Sequence, residues 1–513
     1  MAKKSTTDTC CLTLPLKLEK WQSDRLEKRF EIARQIYNTL VNFELKKLKR
    51  LEESPEYKEI TAQIQEALNS ESRSESNLKA LYKALNDLRR KAGFDEYSFK
   101  TDIKDFYKHF KDNIRSNVAA HGIAPQVWAA FEKLFYGNGR KIHFKRKGEM
   151  NSLRGYSVTG KSGGKEIIFR GTYIEWNGLK LPIKADPDNP YETDMLRNRV
   201  KYCRIVRKPG KRRPRWYVQL MLEGKPTLKC RKDTNEPRHP VGSGIVGIDI
   251  GPQTIAYVAE SEASLQELAA QTNGIERERR ILQRKLDRSR RATNPDNYAE
   301  DGTIKRGVKL TRNKSKRYLR TQRELAFLQS KQAESRKRQH NALANHLISL
   351  GNVFVVEDMD WPALTHRAKQ TEISEKTGRY KRKKRFGKSV GNKAPAMLIG
   401  MLDQKLNSRG TGGVIKVPTS LRASQYNHLT GEYHKKTLGQ RWNDMPDGRR
   451  LQRDLYSAFL LQHANLDSME YDSEALNRDY ESFVQHHDSV IEKLRTSGRT
   501  LASMGMVRTP SAQ

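Results

Sequence analysis

The chain has 513 residues, with 98 Lys or Arg against 60 Asp or Glu and a formal net charge of +38. A charge of that size calls for a polyanionic partner, and nucleic acid fits better than a membrane because no amphipathic anchor, lipidation motif or apolar run of about 18 residues occurs. With 36% hydrophobic residues the chain can still build cores, its length suggests two to four domains, and four cysteines exclude a disulfide scaffold.

Residues 9–16 read as a short strand, with Cys10 and Cys11 pointing to opposite faces. Leu26, Phe30, Ala33, Tyr37 and Leu40 then recur at helical spacing and open a helical region that runs to about residue 137. From Gly137-Asn138-Gly139 to about 240 the texture changes to short strands at 165–169, 172–176, 200–206 and 215–221. These predict a small β-barrel completed by the first strand. The turn between its last two strands holds Arg207, Lys208, Lys211, Arg212, Arg213 and Arg215. That density of cations favours phosphate contact over a merely solvated hairpin tip.

Gly242-Ser-Gly244 reads as a linker into a second region, where Gly-Ile-Val-Gly-Ile-Asp-Ile-Gly sets Asp249 in a buried-strand pattern and 254–259 continues as a hairpin partner. A basic helix from Glu276 to Arg291 follows, then a longer one from about Thr311 to Leu350, whose Arg336 and Arg338 read as nucleic-acid contacts or as a solvated helix face. Val-Phe-Val-Val-Glu ends a second apolar strand on Glu357, and the run 379–385, with Arg382, Lys383, Lys384 and Arg385, reads as a nucleic-acid-contacting lid. A helix is expected at 388–409. Asp454 opens an apolar helix, Tyr480, Phe483, Val484, Ile491 and Leu494 mark another, and residues from about 497 read as a disordered tail. His486-His487 reads as solvated.

A carboxylate at a hydrophobic strand end must be paired, protonated or bound to a cation, so Asp249, Glu357 and Asp454 together suggest a divalent metal site. An open cluster of hard oxygen donors suits magnesium, and two such ions about 4 Å apart serve phosphodiester hydrolysis. Strand alternation makes Glu357 and Asp358 face opposite ways, so only one can serve Asp249's site.

Gly-Ile-Asp-Ile-Gly, Val-Val-Glu-Asp-Met and Arg-Asp-Leu-Tyr-Ser-Ala, in this order, resemble the RuvC-type RNase H nuclease core of the transposon-encoded TnpB proteins and the type V CRISPR effectors. The resemblance implies an α+β multidomain chain. Its parts would be a first wedge strand at 1–16, a helical recognition region at 17–137 and a wedge β-barrel at 138–241. A RuvC-like mixed α/β nuclease core would occupy 242–410 and 451–496, with a small target-nucleic-acid-binding module at 411–450 and a tail at 497–513. It further implies that Asp249, Glu357 and Asp454 are catalytic and hold two Mg2+ ions, with Mn2+ as a substitute. The partners would be a guide RNA and target DNA, with a homodimer on the guide RNA as an option and no membrane, in the cytoplasm or nucleoid of a prokaryote. The start, Met-Ala-Lys-Lys-Ser-Thr-Thr, lacks a following signal region, so secretion is not expected.

The pattern departs from the family in one place. TnpB-like proteins carry a zinc ribbon of two Cys-x-x-Cys pairs between the second and third acids, whereas 358–453 holds no cysteine and Asp444 and Asp447 stand where the second pair is expected. No structural zinc is therefore expected, and packing of Tyr426, Tyr433 and Trp442 takes its place. Two rival readings stay open: an RNA-guided DNA-binding regulator without efficient cleavage, and an RNase H-fold transposase or integrase. The second leaves the long helical region and β-domain before Asp249 unexplained.

Overall fold

The computed structural model describes residues 7–506 except 71–73, 138, 157–165, 232, 368–369, 371, 375–377, 379–385, 438, 466–467, 469 and 498–500. The chain divides into two compact units, residues 1–228 and 229–513.

In the first unit, strand β1 (Thr9–Pro15) buries Cys10, Leu12 and Leu14 and exposes the residues between them. It forms an antiparallel sheet with β2 (Ser152–Tyr156), β6 (Val200–Lys208) and β7 (Arg215–Glu223), in the order β1-β7-β6-β2. Strands β3 (Ile167–Phe169), β4 (Tyr173–Trp176) and β5 (Leu179–Pro182) make a separate three-stranded sheet. The closed barrel expected from the strand spacing is thus replaced by two open sheets. Among the described residues they are joined by one isolated bridge, Leu16 to Ile183, and by packing of Ile167 over Gly155, where a side chain would be crowded by Ile167 at 3.0 Å. Strand number and alternation are readable in sequence; which strands share a ladder is set by this packing. The helix Lys20–Glu53 lays Leu26, Phe30, Ala33, Tyr37 and Leu40 into the same core, with Phe30 edge-on to Trp216 at 5.0 Å.

The second unit is built on a five-stranded sheet. Strands β8 (Ile245–Ile250), β9 (Thr254–Val258) and β10 (Ala263–Glu267) form an antiparallel meander. Strand β11 (Val353–Glu357) lies parallel to β8 on its other side, and β12 (Gly413–Val417) lies parallel to β11, giving the order β10-β9-β8-β11-β12. One face carries Val246, Ile248, Phe354 and Val356 and packs against the helices Lys316–Leu350 and Pro395–Arg409. The opposite face is covered by the helices Arg453–Gln462 and Ser473–Ser497, through Leu455, Phe459 and Phe483. Asn352 ties the amino ends of three strands together: its Oδ1 accepts from Gly244 at 3.2 Å, its N–H donates to Gly244 O at 3.1 Å and its carbonyl accepts from Gly413 at 3.0 Å.

Several expectations shift. The long basic helix begins at Lys316, where the Ser315 side chain caps it. The helix expected at 388–409 is two, Gly387–Lys393 and Pro395–Arg409, because Ala394 takes φ +48° ahead of a proline. Gly242 is no free linker: its N–H donates to Ile348 O at 2.8 Å. Within the segment expected as a tail, Met504 is buried and Gly505 O accepts the Trp442 indole N–H at 3.0 Å, so residues 501–506 are docked, while 498–500 and 507–513 lie outside the described residues. His487, expected to be solvated, is buried and accepts the Gln452 N–H at 2.9 Å. The run 379–385 lies outside the described residues.

Candidate active site

Asp249 and Glu357 reach one place through strand register. Val356 pairs with Ile248 and Val353 with Ile245, so one further step sets Glu357 level with Asp249 on the neighbouring parallel strand, both side chains on the same face. That face belongs to the Asp454 helix. Two residues before Asp249, Gly247 lies so close to this helix that any side chain would collide with the Ala458 carbonyl oxygen. Asp454 stands in the first turn of Arg453–Gln462, whose start is capped by the Gln452 side chain on the Leu455 N–H at 2.8 Å. The carboxyl ends of β8 and β11, where the chain departs in opposite directions across the sheet, are also where α/β sheets generally hold ligands.

Charge at this place is unbalanced. Burial, and then the negative charges of Asp454 and Glu357, push the Asp249 carboxyl well above the ordinary carboxylate range, with Arg453 and Arg441 offsetting part of the effect. Burial also raises Glu357, opposed by the Ala423 N–H. Asp454 is paired: Arg453 brings Nη2 to 3.1 Å and Nε to 3.2 Å of its Oδ1, and Arg441 lies at 3.9 Å. Arg453 Nη1 also donates to Gln440 O at 2.9 Å, so one guanidinium ties Gln440 to Asp454.

The structure therefore brings Asp454 and Glu357 each into electrostatic range of Asp249. Among the described residues no group of three His, Cys, Asp or Glu side chains stands close enough to hold a metal ion as arranged. Sequence reasoning assigned no role to Arg453 or Arg441; an arginine immediately before an acid at a helix start was the available signal for the first. Asp358 faces the other way and pairs with Lys416 at 3.0 Å, while Asp360 caps the short helix Trp361–Thr365 by accepting from Ala363 at 3.0 Å.

In the 411–450 module, Asp444 pairs with Arg450 at 3.4 Å and Asp447 with Arg449 at 3.5 Å, and neither forms a metal-ligand set with His428 or His434 among the described residues. Tyr426 stacks on Tyr471 with centroids 4.6 Å apart, and Tyr433 lies 4.9 Å from Tyr426.

The cationic residues expected to meet nucleic acid divide into engaged and open groups. Arg336 donates to Gly391 O at 2.8 Å and Asn392 O at 3.2 Å, closing helix to helix. Arg207 donates to Gly148 O, and Arg215 to Pro209 O at 3.4 Å. Lys208 lies over the Tyr217 ring at 4.6 Å. Lys211, Arg212 and Arg213 are exposed at the β6–β7 tip. Arg338 lines a groove of about 1040 Å3 with Arg238, His239 and Lys337. Burial and then Lys405, Arg409, Arg238 and Arg231 hold His239 below the ordinary histidine range, which reports how densely cations crowd that groove. Arg382, Lys383, Lys384 and Arg385 lie outside the described residues.

No family model matches this chain, and no curated protein matches it. Among solved structures it is similar to a Cas12f1–sgRNA–target DNA complex, at 12% identity and a TM-score of 0.37, with 88% of this chain and 98% of that chain covered. It is also similar to a CRISPR-Cas12f ternary complex, at 12% identity and a TM-score of 0.23, with 88% and 86% covered. Neither likeness is close enough to carry an argument about fold or activity.

Proposed function

We propose that this chain is a compact RNA-guided DNA endonuclease, of the type V effector or TnpB-like kind, that hydrolyses phosphodiesters at a single site made by Asp249, Glu357 and Asp454. The observation that carries the nuclease reading is the register that sets Asp249 and Glu357 side by side on the face covered by the Asp454 helix. The ordered motifs and the net charge of +38 support it. The meander followed by parallel strands, with acids at the carboxyl ends of β8 and β11, fits an RNase H-like core. RNA guidance rests on the motif resemblance, and target DNA and guide RNA are the partners it implies.

The donor set fits magnesium: three hard carboxylates, one of them held well above its ordinary range by burial and then by its like-charged neighbours, in a site that a cation would relieve. Asp249, Glu357 and Asp454 would hold the ions, which when bound supply an activated water and neutralise the departing oxyanion. The chain's own part is positional. Strands β8 and β11 fix two carboxylates at one level, and Arg453 fixes the rotamer of the third.

A second reading, a guided DNA-binding protein that cuts poorly, is favoured by the Arg453–Asp454 pairing, which occupies one ligand oxygen. One experiment separates them. Protein expressed with its associated RNA is sequenced for that RNA and given matching DNA with Mg2+. Asp249→Ala, Glu357→Ala and Asp454→Ala should each abolish cleavage while leaving RNA and target binding intact. Undiminished cutting by Asp249→Ala overturns the nuclease site, and binding without cutting by the parent chain selects the second reading.

A further inference from the structure

Side chains alternate across a strand, so where Glu357 faces the Asp454 helix, Val356 and Asp358 face the other side of the sheet. There a cavity of about 310 Å3 opens at the carboxyl ends of β8 and β11, floored by the Pro395–Arg409 helix. Positions 396, 399, 400 and 403 of that helix recur at helical spacing and line it. Gly400 makes the room, since a side chain there would meet no atom within 4 Å. The walls are Ile250, Val356, Ile399 and the indole of Trp361. Glu357 borders it at the lip, and its other polar groups are the Asp358–Lys416 pair and Asp403, whose carboxylate has no hydrogen-bond or salt-bridge partner among the described residues.

We propose that this cavity is a nucleobase pocket, which receives the base next to the phosphate that is cut. The proposal rests on the nuclease reading and adds a substrate contact to it. The volume is that of roughly ten water molecules, at the low end of ligand pockets, and suits one flat heterocycle. Two carboxylates disfavour a phosphate there, and among the described residues no metal-ligand group is formed. Apolar walls with an indole accept the face of a base, while a free carboxylate accepts from an exocyclic amino group. Glu357 and Asp358 are consecutive residues of one lip. A strand whose phosphate lies against Glu357 therefore has its adjoining base within one nucleotide's reach of the cavity. Cytosine, adenine and guanine, which carry that amino group, are favoured over thymine.

The test uses the chain with its associated RNA and matching target DNA randomised at the nucleotides flanking the observed cut, with cleaved ends sequenced. The parent protein should cut beside amino-bearing bases about tenfold more often than beside thymine. Gly400→Leu, which fills the cavity, and Asp403→Ala, which removes its acceptor, should each reduce that preference to less than about twofold. Target binding should be unchanged in both. Should Gly400→Leu fail to fold, Asp403→Ala decides. A flat preference in the parent chain, or a preference that survives in Asp403→Ala, overturns the pocket. Loss of cutting in Asp249→Ala alongside a flat parental preference would sink the pocket alone, whereas undiminished cutting by Asp249→Ala would sink the nuclease reading itself.

Discussion

Arg453 holds the carboxylate of its own sequence neighbour, Asp454, with Nη2 and Nε both on Oδ1 at 3.1 and 3.2 Å. The same guanidinium reaches Gln440 O at 2.9 Å, so the orientation of the third acid depends on the small module that precedes it. Arg453→Gln should free Asp454 to rotate. The expected result is a rise of about tenfold or more in the Mg2+ concentration needed for half-maximal cleavage, as for other residues that orient a metal ligand, with target binding unaltered. A metal titration on cleavage rate, paired with a binding titration, reads this. An unchanged Mg2+ requirement would show that the pairing does not orient Asp454, and a lower one that it competes with the metal for Asp454, as the second reading has it.

Gly247 carries the second prediction. Any side chain there strikes the Ala458 carbonyl oxygen, and the helix it would displace bears Asp454. Gly247→Ala should lower stability by about 1–3 kcal/mol and shift the helix away from β8. Thermal melting measures the first effect. Cleavage should fall further than the melting shift accounts for, because a displaced Asp454 no longer faces Asp249.

The third concerns pH. Burial pushes His428 down to about 4, its Nδ1 lies 2.7 Å from the Tyr456 hydroxyl, and Nε2 has no hydrogen-bond partner among the described residues. A histidine whose folded value lies below its unfolded one binds its proton more readily when unfolded, so stability is lost as pH falls from about 6.5 toward 4. The loss is at most about 3 kcal/mol. Urea unfolding of the chain at pH 7 and pH 4.5 should show the decline, and His428→Gln should flatten that part of the profile. An equal decline in His428→Gln would assign the pH sensitivity to other groups.

The fourth is electrostatic. Lys211, Arg212 and Arg213 are exposed at the β6–β7 tip, whereas Arg207 and Arg215 hold backbone carbonyls. Neutralising the three exposed residues should weaken nucleic-acid binding and reduce the log–log salt slope by about 2–3, without changing which target is selected. A slope equal to that of the parent chain would show the tip to be merely solvated.

Asp249, Glu357 and Asp454 were legible in the sequence because an acid in a buried strand or helix start is costly enough to stand out against its apolar neighbours. The alternation that separates Glu357 from Asp358 was legible too, since it needs only the strand period. What escaped depended on contacts distant in sequence. Nothing local tells that Ile167 packs over Gly155 to leave two open sheets, or that His487 lies under Gln452. Ala394 was hidden because the apolar pattern runs across it, although Pro395 marked the break. Arg453 was in view and unassigned, since a sequence shows that a cation adjoins an acid without showing where its guanidinium turns.

The clasp at Asn352 joins three strands five residues upstream of Glu357. Because the strand period is two, inserting or deleting one residue between Asn352 and Glu357 would send Glu357 to the wrong side and present Asp358 or Val356 to Asp249 instead. The distance between these two positions is therefore a fixed count, indifferent to how much chain is added after Glu357. A site built this way can acquire long insertions beyond its second acid, yet it tolerates no change of a single residue in the stretch just before it.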